Sequence, residues 1–168
     1  MLAEAMTDAG ARFEDLDRIG VTVGPGSFTG LRVGLAFAKG LAIARDIPCV
    51  GVGTLAALAA SVQGPGAVIA AVDAKREQVY LQVFDGSPGG RGPEALLVAD
   101  IRLFDASPDL TVVGSGAPML RPAFPHARLV PLAAPDPVAI ARLAAAADPP
   151  QAPPAPIYLR APDARLPA

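Results

Sequence analysis

The chain is poor in reactive and aromatic residues. Its 168 residues include one cysteine, one histidine, no tryptophan and only 5% aromatic side chains. A single cysteine, Cys49, excludes an intramolecular disulfide, and a single histidine, His126, cannot supply the convergent ligands of a metal site. Because alanine inflates the hydrophobic content of 52%, we expect a core of small aliphatic side chains in close contact.

The chain also lacks a strong charge bias and a long apolar run. The net charge is −2, and no run of like charges occurs. A nucleic-acid binder that acts alone normally has a basic patch, so direct binding is disfavoured, although a surface formed only within a complex stays open. Every apolar stretch of bilayer length is interrupted by glycine, proline or charge, and the N-terminus has no basic leader pattern. We therefore predict a cytoplasmic protein with no membrane partner.

A glycine-rich turn organises the first part of the sequence. Residues 19–23 form a β-branched run typical of a strand, and an apolar helix is predicted over Phe28–Arg45. Ser27 or Thr29 can cap that helix. A turn between a strand and a helix N-terminus directs backbone N–H groups towards an anion or a partner's carbonyl groups. The candidate anion loop consists of Gly24, Gly26, Ser27, Thr29 and Gly30.

The glycine spacing excludes the common phosphate-binding and hydrolase motifs. Gly24, Gly26 and Gly30 are spaced G-x-G-x-x-x-G, one residue longer than the dinucleotide fingerprint. No Gly-Lys pair of a Walker A loop is present, and Ser27 follows Gly26 directly, unlike the serine of a nucleophile elbow. Two interpretations stay open: a loop that binds a ligand, and a tight turn whose glycines serve packing alone.

The predicted helix after this turn has two distinct faces. Val33, Phe37 and Leu41 form an apolar face, and a smooth face of small residues invites close approach by another helix. A second, short amphipathic helix is predicted at residues 2–9. We expect an interface with a partner, with packing inside the monomer as the alternative. The predicted interface residues are Leu2, Met6, Gly30, Leu31, Gly34, Leu35 and Ala38.

The rest of the chain divides at glycine and proline clusters. The predicted units are residues 1–63, 67–148 and 149–168, the last comprising a proline-rich connector, a strand at 157–160 and a loose tail. The middle unit begins with a hairpin, 67–72 and 78–84, followed by a turn at 87–90, strands at 95–98 and 111–113, and a helix at 138–147. Thr54 is expected to cap a short helix at 55–61.

Isolated polar residues do not form a catalytic constellation. Asp73 either binds a ligand in a cleft or, as we favour, closes its own turn. Cys49 lies in an apolar strand and is expected to be a buried structural thiol. His126 follows Phe124 and Pro125 in a predicted loop. Neither a metal nor a cofactor is therefore predicted.

Five ordered segments carry a family resemblance. They are the turn GPGSFTGLRVG at residues 24–34, IPCVGV at 47–52, DAKREQVY at 73–80, VGSGA at 113–117 and PIYLR at 156–160. Together they closely resemble the TsaB family, the dimerisation subunits of the bacterial machinery that makes threonylcarbamoyladenosine on tRNA. The family opens with a β-hairpin and a third strand that have no counterpart here. We expect further strands upstream of Met1 in a complete protein.

The resemblance implies an α/β protein of the actin-like (ribonuclease H-like) superfamily, its first half incomplete. It implies a non-catalytic scaffold subunit that docks on a TsaD-like catalytic subunit, with a small TsaE-like ATPase as a further partner and tRNA contacted only indirectly. A homodimer is also left open. The alternative is an enzyme in its own right, an actin-like ATPase or an M22-type peptidase, and both need a phosphate- or metal-holding residue that the sequence does not show.

Overall fold

The structure, a computed structural model, describes residues 2–86, 91–101 and 109–160. The turn predicted at 87–90 and the tail at 161–168 lie outside the described residues, as does Met1. In chain order the helices and strands are α1 (Leu2–Asp8), β1 (Ile19–Gly24), α2 (Phe28–Arg45), β2 (Cys49–Gly53), α3 (Thr54–Ala60), β3 (Val68–Lys75), β4 (Gln78–Phe84), β5 (Glu94–Leu97), β6 (Thr111–Val113), β7 (Arg128–Val130) and α4 (Pro137–Ala146).

The first layer is a two-stranded parallel sheet covered on both faces by helices. Strands β1 and β2 pair in parallel, as their helical connection predicts. Because side chains alternate along a strand, Ile19 and Val21 face α2, whereas Val50 and Val52 face the opposite side. On that opposite side α4 packs through Ala144. We refer to β1, β2, α2 and α4 as the first layer.

The second layer is a mixed five-stranded sheet. Its order is β5-β4-β3-β6-β7, where β4 pairs antiparallel with both β3 and β5, and β6 pairs parallel with both β3 and β7. One face carries the largest core cluster of the described residues, and the hairpin predicted from its alternating pattern forms its centre. Fully buried members of that cluster are Ile69, Val79, Val112, Leu120 and Phe124.

Helix α3 connects the two layers through its two buried faces. Ala57 packs with Val50 and Val52 of the first layer. Leu55 and Leu58, turned to the other side, pack on Ala70 and Val113 of the five-stranded sheet. The helix begins at Thr54, and the N-cap is Gly53, which offers no side-chain oxygen. The prediction that Thr54 caps this helix is therefore wrong by one position.

The C-terminal part of the described chain returns to the first layer. Pro154 is buried against the backbone of Gly51, and the Ile157 N–H donates to the Val23 carbonyl oxygen at 2.7 Å. Residues 157–160 do not form the predicted strand, because no ladder continues beyond this bond. The sequence analysis grouped helix α4 with the unit at 67–148, and in the structure this helix packs on β1 and β2. The division of the chain into three units stays a prediction.

None of the helices in the described part of the chain is long and apolar enough to cross a membrane.

Candidate functional site

The glycine-rich loop folds as its sequence predicts. The Gly30 N–H donates to Ser27 Oγ at 3.3 Å, so Ser27 is the N-cap of α2. Gly24 has a φ of 107°, and a Cβ there would lie 2.8 Å from the Ile157 carbonyl oxygen, so no other residue fits without a shift. Thr29 is exposed and does not supply the cap. The Ser27 hydroxyl oxygen thus already accepts a hydrogen bond from one of the N–H groups that a bound anion would need.

The loop forms one wall of an open cleft of about 590 Å³ between the two layers. Helix α2 begins on one side of the cleft, and the end of β3 lies on the other. Three aromatic rings contribute to its lining, together with few charged groups. The lining residues that the sequence analysis did not select as site residues include Phe28, Tyr80, Tyr158 and Arg160. Because they lie far apart in sequence, no local motif could have identified them together.

The Asp73 carboxylate lies at the cleft and is hydrogen-bonded within its own turn. Its carboxylate accepts from the Lys75 N–H and from Lys75 Nζ, each at 2.7 Å. The bonds to the side chain and backbone of Lys75 hold the pKa of Asp73 below its ordinary value of 3.8. The interpretation of Asp73 as a turn-closing residue is confirmed by these bonds. Its N–H also donates to Ser115 Oγ at 3.1 Å, which joins the turn to the second glycine segment.

The second glycine segment is a close-packing turn. Gly114 has a φ of 112°, and a Cβ there would overlap the carbonyl oxygen of Ala71. The Gly116 N–H donates to that same Ala71 oxygen at 3.0 Å. The glycines therefore allow the chain after β6 to approach the backbone of β3.

The single thiol and the single imidazole are not among the residues that line the cleft. Cys49 is buried as predicted, and burial raises the pKa of its thiol, with Lys39 opposing the shift. His126 is exposed in a loop. Across residues 2–86, 91–101 and 109–160, no group of three His, Cys, Asp or Glu side chains converges as a metal site would require.

Helix α2 is apolar on two opposite faces. The inner face packs on the sheet and carries Leu31, Leu35, Ala38 and Ala42, all below 9% exposure. The outer face consists of Val33, Phe37, Gly40 and Ala44, at i, i+4, i+7 and i+11 on the opposite side of the helix. Val33 and Phe37 are 64% and 60% exposed. A helix that is apolar all round is normally covered all round.

This geometry corrects the predicted interface. Leu31, Leu35 and Ala38 lie against the first sheet and are not on the surface, so they cannot meet a partner without displacing the core. Val33 and Phe37, which the sequence analysis placed on the opposite face, are the exposed pair. Helical periodicity identifies both apolar faces but not the one that the sheet covers.

The remaining predicted interface residues are at the surface. Leu2 is exposed, Met6 is half-buried, and α1 contains no buried residue. Gly30 is exposed and Gly34 is half-buried beside the outer face, and a Cβ at Gly34 would meet no atom within 4 Å. Glycine within a helix costs about 0.5–1 kcal/mol relative to alanine, and no contact in the described part of the chain requires it at position 34.

Comparison with solved structures identifies the class of protein. The structure matches a crystal structure from Pseudomonas aeruginosa, described as an uncharacterized protein with similarity to peptidase YEAZ, with a TM-score of 0.77 at 28% identity. The match covers 95% of this chain and 81% of that one. A second structure, YeaZ from Pseudomonas aeruginosa, matches with a TM-score of 0.72 at 26% identity over 86% of this chain and 73% of that one. The chain is thus an α/β protein with the actin-like fold.

Comparison with known sequences identifies the family. The family model for TsaD, tRNA N6-adenosine threonylcarbamoyltransferase, matches residues 1–87. An uncharacterized Mycobacterium tuberculosis protein is 37% identical over 96% of this chain and 72% of its own length. The tRNA threonylcarbamoyladenosine biosynthesis protein TsaB of Escherichia coli is 33% identical over 69% of this chain. The chain belongs to the family that this model describes and is a TsaB-like member of it. It spans about half, 54%, of the Escherichia coli relative.

Proposed function

We propose that this chain is a non-catalytic scaffold subunit for the synthesis of N6-threonylcarbamoyladenosine on tRNA. It docks on a catalytic threonylcarbamoyltransferase, a protein of its own family. Support comes from TsaB relatives named for that biosynthesis and from a family model that describes the transferase itself. Since the match to the Escherichia coli relative covers about half of that protein, the role of a whole TsaB protein is part of the proposal.

The outer face of α2 is the observation that carries the proposal. Val33 and Phe37 expose most of their apolar surface, whereas the inner face of the same helix already fills the core. Gly40 and Gly34 leave room for close approach of a partner helix, since a Cβ at either would meet no atom within 4 Å. Burial of exposed apolar area is the main driving force for association of this kind. A related helix on the catalytic subunit is the partner we assign to this face.

The surroundings of the candidate reactive groups favour a scaffold over an enzyme. Asp73 is bonded to Lys75, Cys49 is buried, and Ser27 caps a helix. None of these groups is paired with a general base in the described part of the chain, as a nucleophile or an acid–base pair requires. In the proposal, the chemistry therefore resides on the partner, and this chain holds the partner's helices in an arrangement competent for group transfer.

The remaining partners follow from the same proposal. A small ATPase completes the assembly, tRNA is contacted mainly by the catalytic subunit, and the complex works in the cytoplasm. The alternative is that the same surface of α2 binds a second copy of this chain and forms a homodimer. No nucleotide is assigned to the chain itself.

Co-purification with the cognate catalytic subunit tests the docking surface. Phe37→Glu and Val33→Glu place a charge in the centre of the outer face, so we expect each to abolish a complex that the wild-type chain forms. Val138→Glu is the matched control, because Val138 is 52% exposed on α4, across the first layer from α2. Gly34→Leu should also block docking while the chain stays folded, since a Cβ at position 34 would meet no atom within 4 Å.

Two results would overturn the proposal. Wild-type chain that fails to bind the catalytic subunit, or Phe37→Glu chain that binds as well as wild type, would remove the docking role. ATP hydrolysis or peptide cleavage by the isolated wild-type chain, with rates unchanged by the catalytic subunit, would identify an enzyme. Circular dichroism and thermal unfolding of each variant verify that lost binding is not lost folding.

A further inference from the structure

Three side chains form a cluster where the outer face of α2 meets the cleft. The Arg32 guanidinium lies over the Phe28 ring, 3.9 Å from its centroid, and Arg32 Nε donates to the Tyr158 hydroxyl at 3.1 Å. The Phe28 and Tyr158 rings are tilted at 33° with centroids 5.3 Å apart. Phe28 is 50% exposed and Tyr158 is 44% exposed. We call these three residues the Arg32 cluster.

The cluster is held in place from the cleft side. Tyr158 lies between two anchored neighbours: the Ile157 N–H donates to Val23 O at 2.7 Å, and Arg160 Nη1 donates to Ala74 O at 3.2 Å. These two bonds anchor the chain on both sides of Tyr158, and the Tyr158 hydroxyl, by accepting from Arg32 Nε, orients the guanidinium. A prearranged donor loses less conformational entropy on binding than a free arginine does.

Arg32 still has donors to offer. Its bond to Tyr158 uses Nε, and neither terminal nitrogen donates to a residue in the described ranges. Those two nitrogens form the planar fork that matches a carboxylate with two parallel hydrogen bonds. The Phe28 ring covers one face of the guanidinium, and partial exclusion of water strengthens a charged hydrogen bond.

The charges of α2 have a single sign. Over its 18 residues the helix carries Arg32, Lys39 and Arg45 and no acidic side chain. The charged side chains that α2 itself contributes around Val33 and Phe37 are thus all cations. Such a face is complementary to an apolar surface bordered by carboxylates, and it repels a second copy of itself.

We propose that the Arg32 cluster is the energetic anchor of the docking surface and that the partner presents a carboxylate to the Arg32 guanidinium. This inference rests on the proposed scaffold function and names the chemistry of the partner: an apolar helix face with Asp or Glu at its border. Tyr, Arg and aromatic residues in partly enclosed positions are the usual hot spots of interfaces. Phe37 and Val33 then contribute the surrounding apolar contact.

The affinity for the purified cognate catalytic subunit, measured by calorimetry, tests the anchor. Arg32→Ala should raise Kd by about 30-fold or more, the usual size of a hot-spot effect. Arg32→Lys keeps the charge but loses the fork and the stacking, so its Kd should lie between the two. Arg142→Ala is the matched control, since Arg142 is an exposed arginine on α4. It should bind as wild type does.

Salt dependence and Tyr158 give independent readouts. Between 50 and 500 mM NaCl the Kd of the wild-type chain should rise more steeply than that of Arg32→Ala, because the variant lacks the charged contact. Tyr158→Phe keeps the ring but frees Arg32 Nε, so it should weaken binding less than Arg32→Ala does. Tyr158→Ala removes both supports and should weaken binding more than Tyr158→Phe.

The outcomes separate the two proposals. If wild-type chain binds, Phe37→Glu does not, and Arg32→Ala binds with unchanged Kd and salt dependence, the scaffold function stands and the anchor is overturned. If wild-type chain does not bind the catalytic subunit, the scaffold function itself fails. If size-exclusion chromatography shows a homodimer that Arg32→Ala disrupts, the cluster anchors a second copy and the assigned partner is wrong.

Discussion

The two layers of the molecule differ in how completely they bury their apolar side chains. In the five-stranded sheet, Ile69, Val79, Val112 and Phe124 are almost completely enclosed by other residues of the same layer. In the first layer, the sheet has two strands, and α2 exposes Val33 and Phe37. The second layer is thus closed within the chain. The first layer combines a small core with an apolar surface that remains open to another molecule.

This difference in burial separates the residues that stabilise the fold from the residues that are available for interaction with a partner. Residues that fill the second layer contribute mainly to the free energy of unfolding, because their contacts exist in the isolated chain. Residues on the outer face of α2 contribute little to it and are free to serve a partner. Substitutions matched between the layers can therefore test the separation directly.

The largest contrast should come from two phenylalanines. Phe124→Ala removes a ring that is 1% exposed, so we expect the free energy of unfolding to fall by about 3–5 kcal/mol. Phe37→Ala removes a ring that is 60% exposed and should change the free energy of unfolding by about 0.5 kcal/mol or less. Urea unfolding monitored by circular dichroism measures both. Equal losses would mean that α2 is covered within the isolated chain.

A pair of glycines gives the next largest contrast. A Cβ at Gly20 would lie 2.7 Å from Ala144 Cβ, so Gly20→Ala should cost about 1–3 kcal/mol through overpacking. At Gly34 a Cβ meets nothing within 4 Å, and Gly34→Ala should stabilise the isolated chain by about 0.5–1 kcal/mol. Thermal unfolding gives the sign of each change. If Gly34→Ala destabilises the chain, an internal contact rather than a partner explains the glycine.

A smaller effect is expected at the hairpin tip beside the cleft. Arg76 and Glu77 form a two-residue turn with φ of 54° and 58°, a conformation that favours Asn and Gly. Glu77→Gly should stabilise the chain by about 0.5–1 kcal/mol, because relief of backbone strain exceeds the entropy gained by the unfolded chain. Glu77→Ala, which keeps a Cβ, is the control for loss of the carboxylate. Chemical denaturation of the three proteins should rank the glycine variant highest.

The smallest effect concerns the pH dependence of the pair at Asp73 and Lys75. The pKa of Asp73 is lower in the folded chain than its ordinary value of 3.8, so its contribution is fully present above that value. It is lost as the pH falls through the folded pKa. Because the Lys75 side chain is 81% exposed, we expect about 1 kcal/mol or less. Unfolding of wild type and Asp73→Asn should differ at pH 6 and converge in acid; a difference that grows in acid would reverse the assigned sign.

Much of the fold was predictable because its elements have strong local signals. The alternation of residues 78–84 predicted β4, and the Gly-Pro-Gly turn with Ser27 predicted the boundary between β1 and α2. The helix predicted at 138–147 is present as α4, and Asp136 caps it, its carboxylate accepting from the Val138 N–H at 2.9 Å. In each case the physical cause lies within a few residues.

The errors occur where the cause is distant in sequence. Strand β7 has only three residues, and its pairing with β6 rather than its own pattern makes it a strand. The segment at 157–160 has strand-like residues, yet only the Ile157 amide reaches a strand, and Tyr158 bonds to a helix instead. The side of α2 that the sheet covers and the Arg32 cluster both depend on tertiary packing, which no single-sequence pattern reports.

The end of α4 has a consequence for synthesis on the ribosome. Arg18, just before β1, donates from Nη1 to the carbonyl oxygens of Ala144, Ala145 and Ala147 at 2.8–3.0 Å. A positive charge is favourable at the C-terminus of a helix, where carbonyl oxygens are unpaired. The contact joins segments that are more than 120 residues apart in the chain. The face of β1 and β2 beneath α4, which α3 covers only in part, is thus complete only after residues 137–147 have been synthesised. The core of the first layer therefore cannot close during synthesis before this helix, late in the chain, has been made.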